Sequence, residues 1–237
     1  MFAAINQIAG TQPFNDWFAP DTTKRHPLGL IVDAVDPYWG AGRFQYIKSG
    51  GTILKGSLVM LDEDTLGTLL PSTTLQGFPF GVAMAPMASG TYGWIQIQGN
   101  AVYKTSATVA ADAAVAIASA GIVGASATGK QLVNVRNRKS ATATTTLTAN
   151  TTTGSGLIKA AAGYDGLFLG MALSGTGVPA SSFVASLNAD GVSFMIGSAI
   201  GTFDKLCTAS GSITLTGTYT GYGLGVINCP FAQGAIT

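Results

Sequence analysis

Glycine, proline or polar turn residues break every long apolar stretch of this 237-residue chain before it reaches helical length. The interruptions recur roughly every 8–12 residues, a spacing typical of short strands joined by turns. The 32 glycines supply turn positions, while the many threonines and valines favour strands. The pattern therefore predicts an all-β protein of barrel or sandwich type.

Charge is unevenly distributed along the chain. Of the 12 basic and 11 acidic residues, only five lie beyond residue 139. These five are Lys159, Asp165, Asp190, Asp204 and Lys205. A shift of this kind marks a candidate domain boundary at about residues 139–141.

We predict three regions from this boundary and from the turn pattern. Residues 1–30 form an extended N-terminal arm, residues 31–139 a small β-barrel, and residues 140–237 a β-sandwich-like domain. An alternative stays open, in which residues 140–217 are an insertion and residues 219–231 return to the first domain.

The N-terminal arm combines prolines with aromatic residues. Prolines at every seventh position from Pro13 to Pro27 prevent a long helix. The aromatic side chains either cap the core of their own domain or pack on a neighbouring subunit. For the second case, the candidate contacts are Phe14, Trp17, Phe18 and His26.

Two strand assignments depend on local pattern alone. Residues 94–98 alternate between apolar and polar types, which predicts a half-buried strand. Residues 109–118 suit either a helix or a strand, because alanine permits both. We favour a strand, since turn residues bracket the segment and its neighbours are β.

Composition argues against several classes of partner. The net charge is only +1 and no basic stripe is present, so we expect no nucleic-acid binding. The segment closest to a membrane span, residues 109–123, is short and contains Asp112, so we expect no membrane association. The first residues lack the features of a signal peptide, which suggests synthesis in a cytoplasm. Cys207 and Cys229 are too few for a disulfide scaffold and are expected as free, buried thiols.

One segment nearly matches a phosphate-binding loop. Residues 124–131 read G-x-x-x-x-G-K but end in Gln131, which lacks the hydroxyl that binds magnesium in such loops. The following residues alternate like a strand, whereas the loop requires a helix. We therefore interpret the segment as a glycine-rich hairpin turn.

The remaining reactive side chains form no recognisable catalytic pattern. His26 is the only histidine, which leaves little support for a histidine metal cluster or a Ser-His-Asp triad. Asp62, Glu63 and Asp64 lack the ligand spacing of a calcium loop and indicate a solvated turn. We therefore predict no catalytic residue, no cofactor and no metal site, and a protein that is not an enzyme.

The most strongly patterned stretch spans residues 80–103. It combines a strand of small residues, a glycine-rich turn and a second strand that begins near Trp94. We expect Trp94 to fill the interior of the first domain. Gly81, Gly93 and Gly99 would allow the strands to pack closely around it.

Residues 79–99 resemble a family of head decoration, or cement, proteins from tailed bacteriophages. The family has a Gly-Val-Ala strand, a Gly-Trp strand and a Gly-x-Ala sequence, matched here at residues 81–83, 93–94 and 99–101. The similarity extends over about residues 45–138. Residues 53–59 fit the family's entry strand, and residues 109–129 fit its small-residue strand and turn.

A second resemblance covers about residues 165–217, in which residues 170–180 are similar to a β-module of phage tail and head proteins. That module usually reads G-M-x-V-S-G-T-G-I-P-x-G-T. The present chain departs from it at residues 180–182, where Ala-Ser-Ser replaces the Gly-Thr turn.

Together the resemblances imply a structural virion protein on the capsid exterior. It would stabilise the capsid by bridging subunits of the major capsid protein, and it would form a homotrimer. One alternative is an outward-facing module that binds a receptor or glycan. Another is a structural protein of the tail or a minor component of the head.

Overall fold

All regular structure that is described in the molecule is β-strand, which confirms the all-β class. The computed structural model describes residues 3–4, 19–36, 40–72, 77–106, 109–138, 144–164, 167, 169–188, 190–218 and 221–233.

The chain divides into two compact units. We call the first the sheet unit, which comprises Met1–Ala141 and Gly223–Thr237. The second is the barrel unit, Thr142–Tyr222, which is inserted between the two segments of the sheet unit. This arrangement corresponds to the insertion that the sequence analysis kept as an alternative.

In the described part of the sheet unit, eleven strands form one sheet. They are β1 (Ala3–Ala4), β2 (Ile31–Asp36), β3 (Gly40–Ser49), β4 (Leu58–Leu61), β5 (Leu66–Leu69), β6 (Phe80–Ala83), β7 (Tyr92–Lys104), β8 (Ala114–Ser119), β9 (Ile122–Ala125), β10 (Gln131–Asn137) and, after the barrel unit, β17 (Tyr222–Ala232).

The strand order in this sheet is β1-β2-β3-β5-β4-β6-β7-β17-β10-β8-β9. Strand β3 also pairs with β7, so the strands β3, β5, β4, β6 and β7 form a closed circuit. This circuit consists of five strands within a larger sheet, whereas a small separate barrel was predicted for residues 31–139. Four further strands beyond β7 and two beyond β3 extend it.

The barrel unit contains the other six strands and is a closed barrel with the order β11-β12-β15-β14-β13-β16. They are β11 (Thr144–Thr151), β12 (Leu157–Ala160), β13 (Ala172–Ser174), β14 (Ser182–Leu187), β15 (Ser193–Gly197) and β16 (Gly211–Thr218). The prediction of a sandwich-like domain here needs correction. Strand β11 pairs with β16 over its full length, so the unit closes on itself instead of forming two separate sheets.

Strand β7 is buried on both faces along its first half. Trp94 belongs to one core cluster, with Phe44 and Tyr46, whereas Ile95 belongs to a second cluster on the opposite face, with Ile47. The alternation of residues 94–98 therefore does not mark a solvent face. Gln96 is only 2% exposed.

The turn at residues 126–130 connects β9 to β10, where Lys130 N donates a hydrogen bond to Ala127 O over 3.2 Å. The glycine-rich turn was predicted, but its description as a hairpin was wrong. Strand β8 lies between β9 and β10 and pairs with both, so the two strands joined by the turn are not hydrogen-bonded to each other.

The ambiguous segment at residues 109–118 is a strand only in its second half. Strand β8 begins at Ala114. The preceding turn contains Asp112, whose φ of 53° lies in the left-handed region and is incompatible with a continuous strand.

Candidate functional site

The aromatic cluster around His26 lies inside the sheet unit. The His26 ring is 5% exposed, with its centroid 5.0 Å from that of Tyr46 and 5.4 Å from that of Trp94. Burial lowers the pKa of His26, an effect that the nearby Asp21 carboxylate opposes and the Arg25 guanidinium reinforces. A side chain this deeply buried offers no contact surface, so His26 is removed from the candidate contacts.

Residues 19–30, which we call the N-terminal strap, dock on strands β3 and β7. Asp21 and Tyr92 exchange two backbone hydrogen bonds, of 2.8 and 2.9 Å. Gly29 N donates to Tyr46 O over 2.8 Å, and Tyr46 N donates to Leu30 O over 2.9 Å. This part of the predicted arm is therefore attached to its own unit. Phe14, Trp17 and Phe18 lie outside the described residues.

Side chains reinforce this attachment at one carboxylate. The Tyr46 hydroxyl donates to Asp21 Oδ2 over 2.8 Å, and Arg25 Nε lies 2.9 Å from Asp21 Oδ1. The Tyr46 hydroxyl also accepts a 3.3 Å hydrogen bond from the Arg25 backbone. Burial raises the pKa of Tyr46, so it stays a neutral donor.

The four scaffold residues of the patterned stretch lie at crowded positions of the sheet unit. Trp94 is 4% exposed. A Cβ on Gly81 would lie 2.9 Å from Gln96 O, and one on Gly93 would lie 2.7 Å from the Met87 sulfur. Gly99 has a φ of 105°, and a Cβ there would lie 2.5 Å from Ala41 O. Each glycine thus allows a close approach that a larger residue would obstruct.

Gln96 supports the irregular backbone next to Gly99. Its Nε2 donates to Gln98 O over 3.1 Å and to Asn100 O over 2.8 Å, where the register between β3 and β7 shifts. Sequence reasoning missed this role, because a glutamine in an alternating strand looks solvent-facing. The glycine three residues later was the available signal for a bulge.

A shallow groove of about 250 Å³ lies on the sheet unit, with mainly apolar lining. Its lining residues are Gln45, Leu61, Asp62, Thr65, Pro79, Phe80, Ile97, Cys229 and Pro230. Asp62 and Cys229 are the titratable groups among them. Asp62 Oδ1 is occupied by the backbone amides of Asp64 at 3.0 Å and Leu66 at 2.8 Å. The groove is thus better suited to an apolar contact than to proton transfer.

Two exposed phenylalanines flank the groove in sequence. Phe78 precedes the lining residue Pro79 and is 38% exposed, and Phe231 follows the lining residue Pro230 and is 37% exposed. Their backbone segments pair, since Pro79 and Phe231 form a β-bridge and Ala232 N donates to Phe78 O over 3.0 Å. Sequence reasoning missed this surface, because the pairing joins residues that are far apart in the chain.

An ion pair lies on neighbouring strands of the same unit. Arg43 Nε lies 2.7 Å from Asp33 Oδ1, and the two residues are direct cross-strand partners in β2 and β3. The hydrogen bond from Arg43 holds the pKa of the Asp33 carboxyl below its usual value. An exposed pair of this kind contributes little to stability.

The barrel unit has its own exposed apolar residues. Phe203 is 53% exposed and Leu206 is 54% exposed, both in the connection between β15 and β16. Asp204, between them, accepts a 2.7 Å hydrogen bond from Ser198 N, and its pKa is lowered chiefly by hydrogen bonding to Ser198. The connection is therefore held in shape while presenting two apolar side chains to solvent.

Both cysteines are free, as expected, but only Cys207 is buried. Burial raises the pKa of the Cys207 thiol, which makes it a poor nucleophile. Cys229 is exposed, contrary to expectation, and its φ of 44° marks an irregular position in β17.

Among the described residues, no three metal-binding side chains of the His, Cys, Asp or Glu type come together. The same residues include no helix that is long and apolar enough to cross a bilayer. Comparison with the profiles of known protein families, with curated proteins and with solved structures found no match.

Proposed function

We propose that the protein is a structural component of a phage virion, which binds the outer surface of the capsid and bridges subunits of the major capsid protein. The residues that resemble decoration proteins lie in β6 and β7, at the centre of the sheet unit. The capsid-binding surface is the groove of the same unit, together with Phe78 and Phe231.

The observation that carries the proposal is this exposed apolar surface. Exposed apolar residues on two paired backbone segments, beside a groove with mainly apolar lining, are typical of a surface that binds another protein. A decoration protein needs contact area and rigid strands and does not need a perturbed acid or base. A protein that contacts several capsid subunits at once would bind the shell strongly even if each single contact is weak.

A second candidate function is supported by Phe203 and Leu206 in the barrel unit. An outward-facing module that binds a host receptor or glycan would use exposed apolar or aromatic side chains on a loop. The two candidate functions therefore assign contact to different units. This difference makes them separable by substitution.

The test compares two double variants of the full-length protein on phage heads assembled without it. Phe78→Ser with Phe231→Ser alters the sheet unit, and Phe203→Ser with Leu206→Ser is a matched control in the barrel unit. Co-sedimentation measures binding to expanded and unexpanded heads. Circular dichroism checks that each variant retains its strands.

We expect the original protein to bind expanded but not unexpanded heads and to raise their resistance to heat. The sheet-unit variant should bind at least about tenfold more weakly, because buried aromatic anchors dominate protein interfaces. The barrel-unit control should bind normally. Loss of head binding only in the barrel-unit variant, or no binding by the original protein, would contradict the proposal.

A further inference from the structure

We propose that low pH releases the N-terminal strap, because protonation of His26 detaches residues 19–30 from strands β3 and β7. The strap is held mainly by contacts to Tyr46 and to the first residues of β7. His26 is at the centre of these contacts and is the only histidine of the chain. The inference is independent of capsid binding.

The position of His26 makes a charged ring costly. The side chain is 5% exposed and is packed against the rings of Tyr46 and Trp94. An imidazolium at this position would lose most of its hydration, which disfavours the charged form of the ring. Moving the strap into solvent restores that hydration.

Among the described residues, the charged and titratable groups around His26 belong to three elements. The strap contributes Asp21 and Arg25, β3 contributes Tyr46, and β7 contributes Tyr92. The other described members of the cluster carry no titratable group, and they are Val32, Ala34, Phe44, Met84, Trp94, Leu28 and Leu30.

Asp21 is the group that could stabilise a charged His26, but its carboxylate already has two partners. Arg25 lies 2.9 Å from one oxygen, and the Tyr46 hydroxyl donates to the other over 2.8 Å. The guanidinium also repels an imidazolium. The docked strap therefore favours the neutral ring, and the released strap has no such preference.

The sign of the pH effect follows from linkage. A histidine with a lower pKa in the docked form contributes its full stabilisation above the ordinary histidine pKa of about 6.5. That stabilisation is lost as the pH falls through this value toward the pKa of the docked form. Each tenfold difference in proton affinity between the two forms makes release about tenfold easier at low pH.

Nuclear magnetic resonance on the full-length protein tests the proposal. The ring resonance of the single histidine reports its protonation, and amide exchange reports strap docking through Gly29 and Tyr92. The amides of Gly154 and Cys207, which are hydrogen-bonded within the barrel unit, serve as internal controls. Measurements run from about pH 7 to about pH 5.

We expect the ring to titrate below the ordinary value. The protection factors of Gly29 and Tyr92 should fall at least about tenfold along the same titration, while those of the barrel unit stay constant. Titration at or above the ordinary value would overturn the proposal. So would unchanged strap protection, or a simultaneous loss of protection in both units.

Two variants distinguish a proton switch from a merely structural histidine. Arg25→Gln removes the repelling charge and frees an oxygen of Asp21, so the docked strap should tolerate a charged ring better. The ring should then titrate at a higher pH, and the midpoint of strap release should move to a lower pH. His26→Gln cannot take up a proton and should keep the strap docked at about pH 5. If His26→Gln does not fold, the titration of the original protein and the Arg25→Gln shift still decide the question.

Discussion

The sheet unit and the barrel unit are both built from short strands, but different features hold them together. The barrel unit closes through continuous backbone pairing of β11 with β16, from Thr144 and Thr218 to Thr151 and Gly211, and its described buried polar residues are the small Thr151, Ser182 and Ser193. The sheet unit also buries three larger polar side chains. His26, Gln96 and Asn137 are each at most 5% exposed.

Asn137 shows how the sheet unit accommodates the insertion. It pairs with Gly225 in the neighbouring strand, so the chain leaves and re-enters the unit at adjacent positions. Its amide accepts a 2.9 Å hydrogen bond from the Tyr103 hydroxyl and donates one of 2.8 Å to Ala110 O. The insertion therefore begins and ends at a fixed point of the sheet unit.

We expect the two units to unfold in separate transitions, because each is a compact unit of its own. All three tryptophans, Trp17, Trp39 and Trp94, lie within the sequence range of the sheet unit, and Trp94 is buried in its core. Tryptophan fluorescence therefore follows unfolding of the sheet unit alone, whereas circular dichroism follows both units. Substitutions confined to one unit should change only that unit's transition.

The largest effect is expected from Gly197→Ala in the barrel unit. A Cβ at this position would lie 1.5 Å from Thr202 O, which is backbone and cannot move aside cheaply. We expect the free energy of unfolding of the barrel unit to fall by at least about 4 kcal/mol, while the unfolding transition seen by tryptophan fluorescence stays unchanged. Gly191→Ala is the control, because no atom lies within 4 Å of a Cβ there, and its φ of 71° alone should cost only about 1 kcal/mol.

A smaller effect is expected from Gly99→Ala in the sheet unit. The variant combines an unfavourable φ with a steric clash against Ala41 O. Together these should lower the free energy of unfolding of the sheet unit, followed by fluorescence, by about 2–4 kcal/mol. Gly90→Ala has a similar φ in open space and should cost about 1 kcal/mol. Equal effects of the two substitutions would show that the crowding around Gly99 is unimportant.

The smallest effect concerns the acid response of the barrel unit, which has no histidine. The pKa of Asp190 is lowered chiefly by hydrogen bonds from Ser193, so its stabilisation is present near neutral pH and is lost as the pH falls below about 4. We expect Asp190→Asn to reduce the acid sensitivity of the barrel melting temperature. A barrel transition that already weakens near about pH 6 would contradict the contrast between the units.

Much of the local structure could be predicted from sequence. Strand β4 at Leu58–Leu61 and the strand after residue 130 follow directly from apolar runs between turn residues. The long-range strand pairings of the sheet unit could not be predicted, because β3–β7 and β10–β17 join segments that are distant in the chain. For the same reason His26 looked like a surface residue, since its burial depends on Tyr46 and Trp94.

The candidate contact surface was the least predictable feature. Phe231 and Phe78 come together only because β17 returns to the sheet unit after the insertion. The sequence instead suggested the N-terminal aromatics as contacts. The predicted domain of residues 140–237 includes Phe231, whereas the structure assigns this residue to the sheet unit.

The most direct test of the virion proposal is the number of copies of this protein per particle, measured by quantitative mass spectrometry of purified virions. A protein that bridges capsid subunits must cover the shell, so we expect on the order of hundreds of copies, in a fixed ratio to the major capsid protein. A handful of copies, or none, would contradict the proposal and favour a role in the tail or outside the virion.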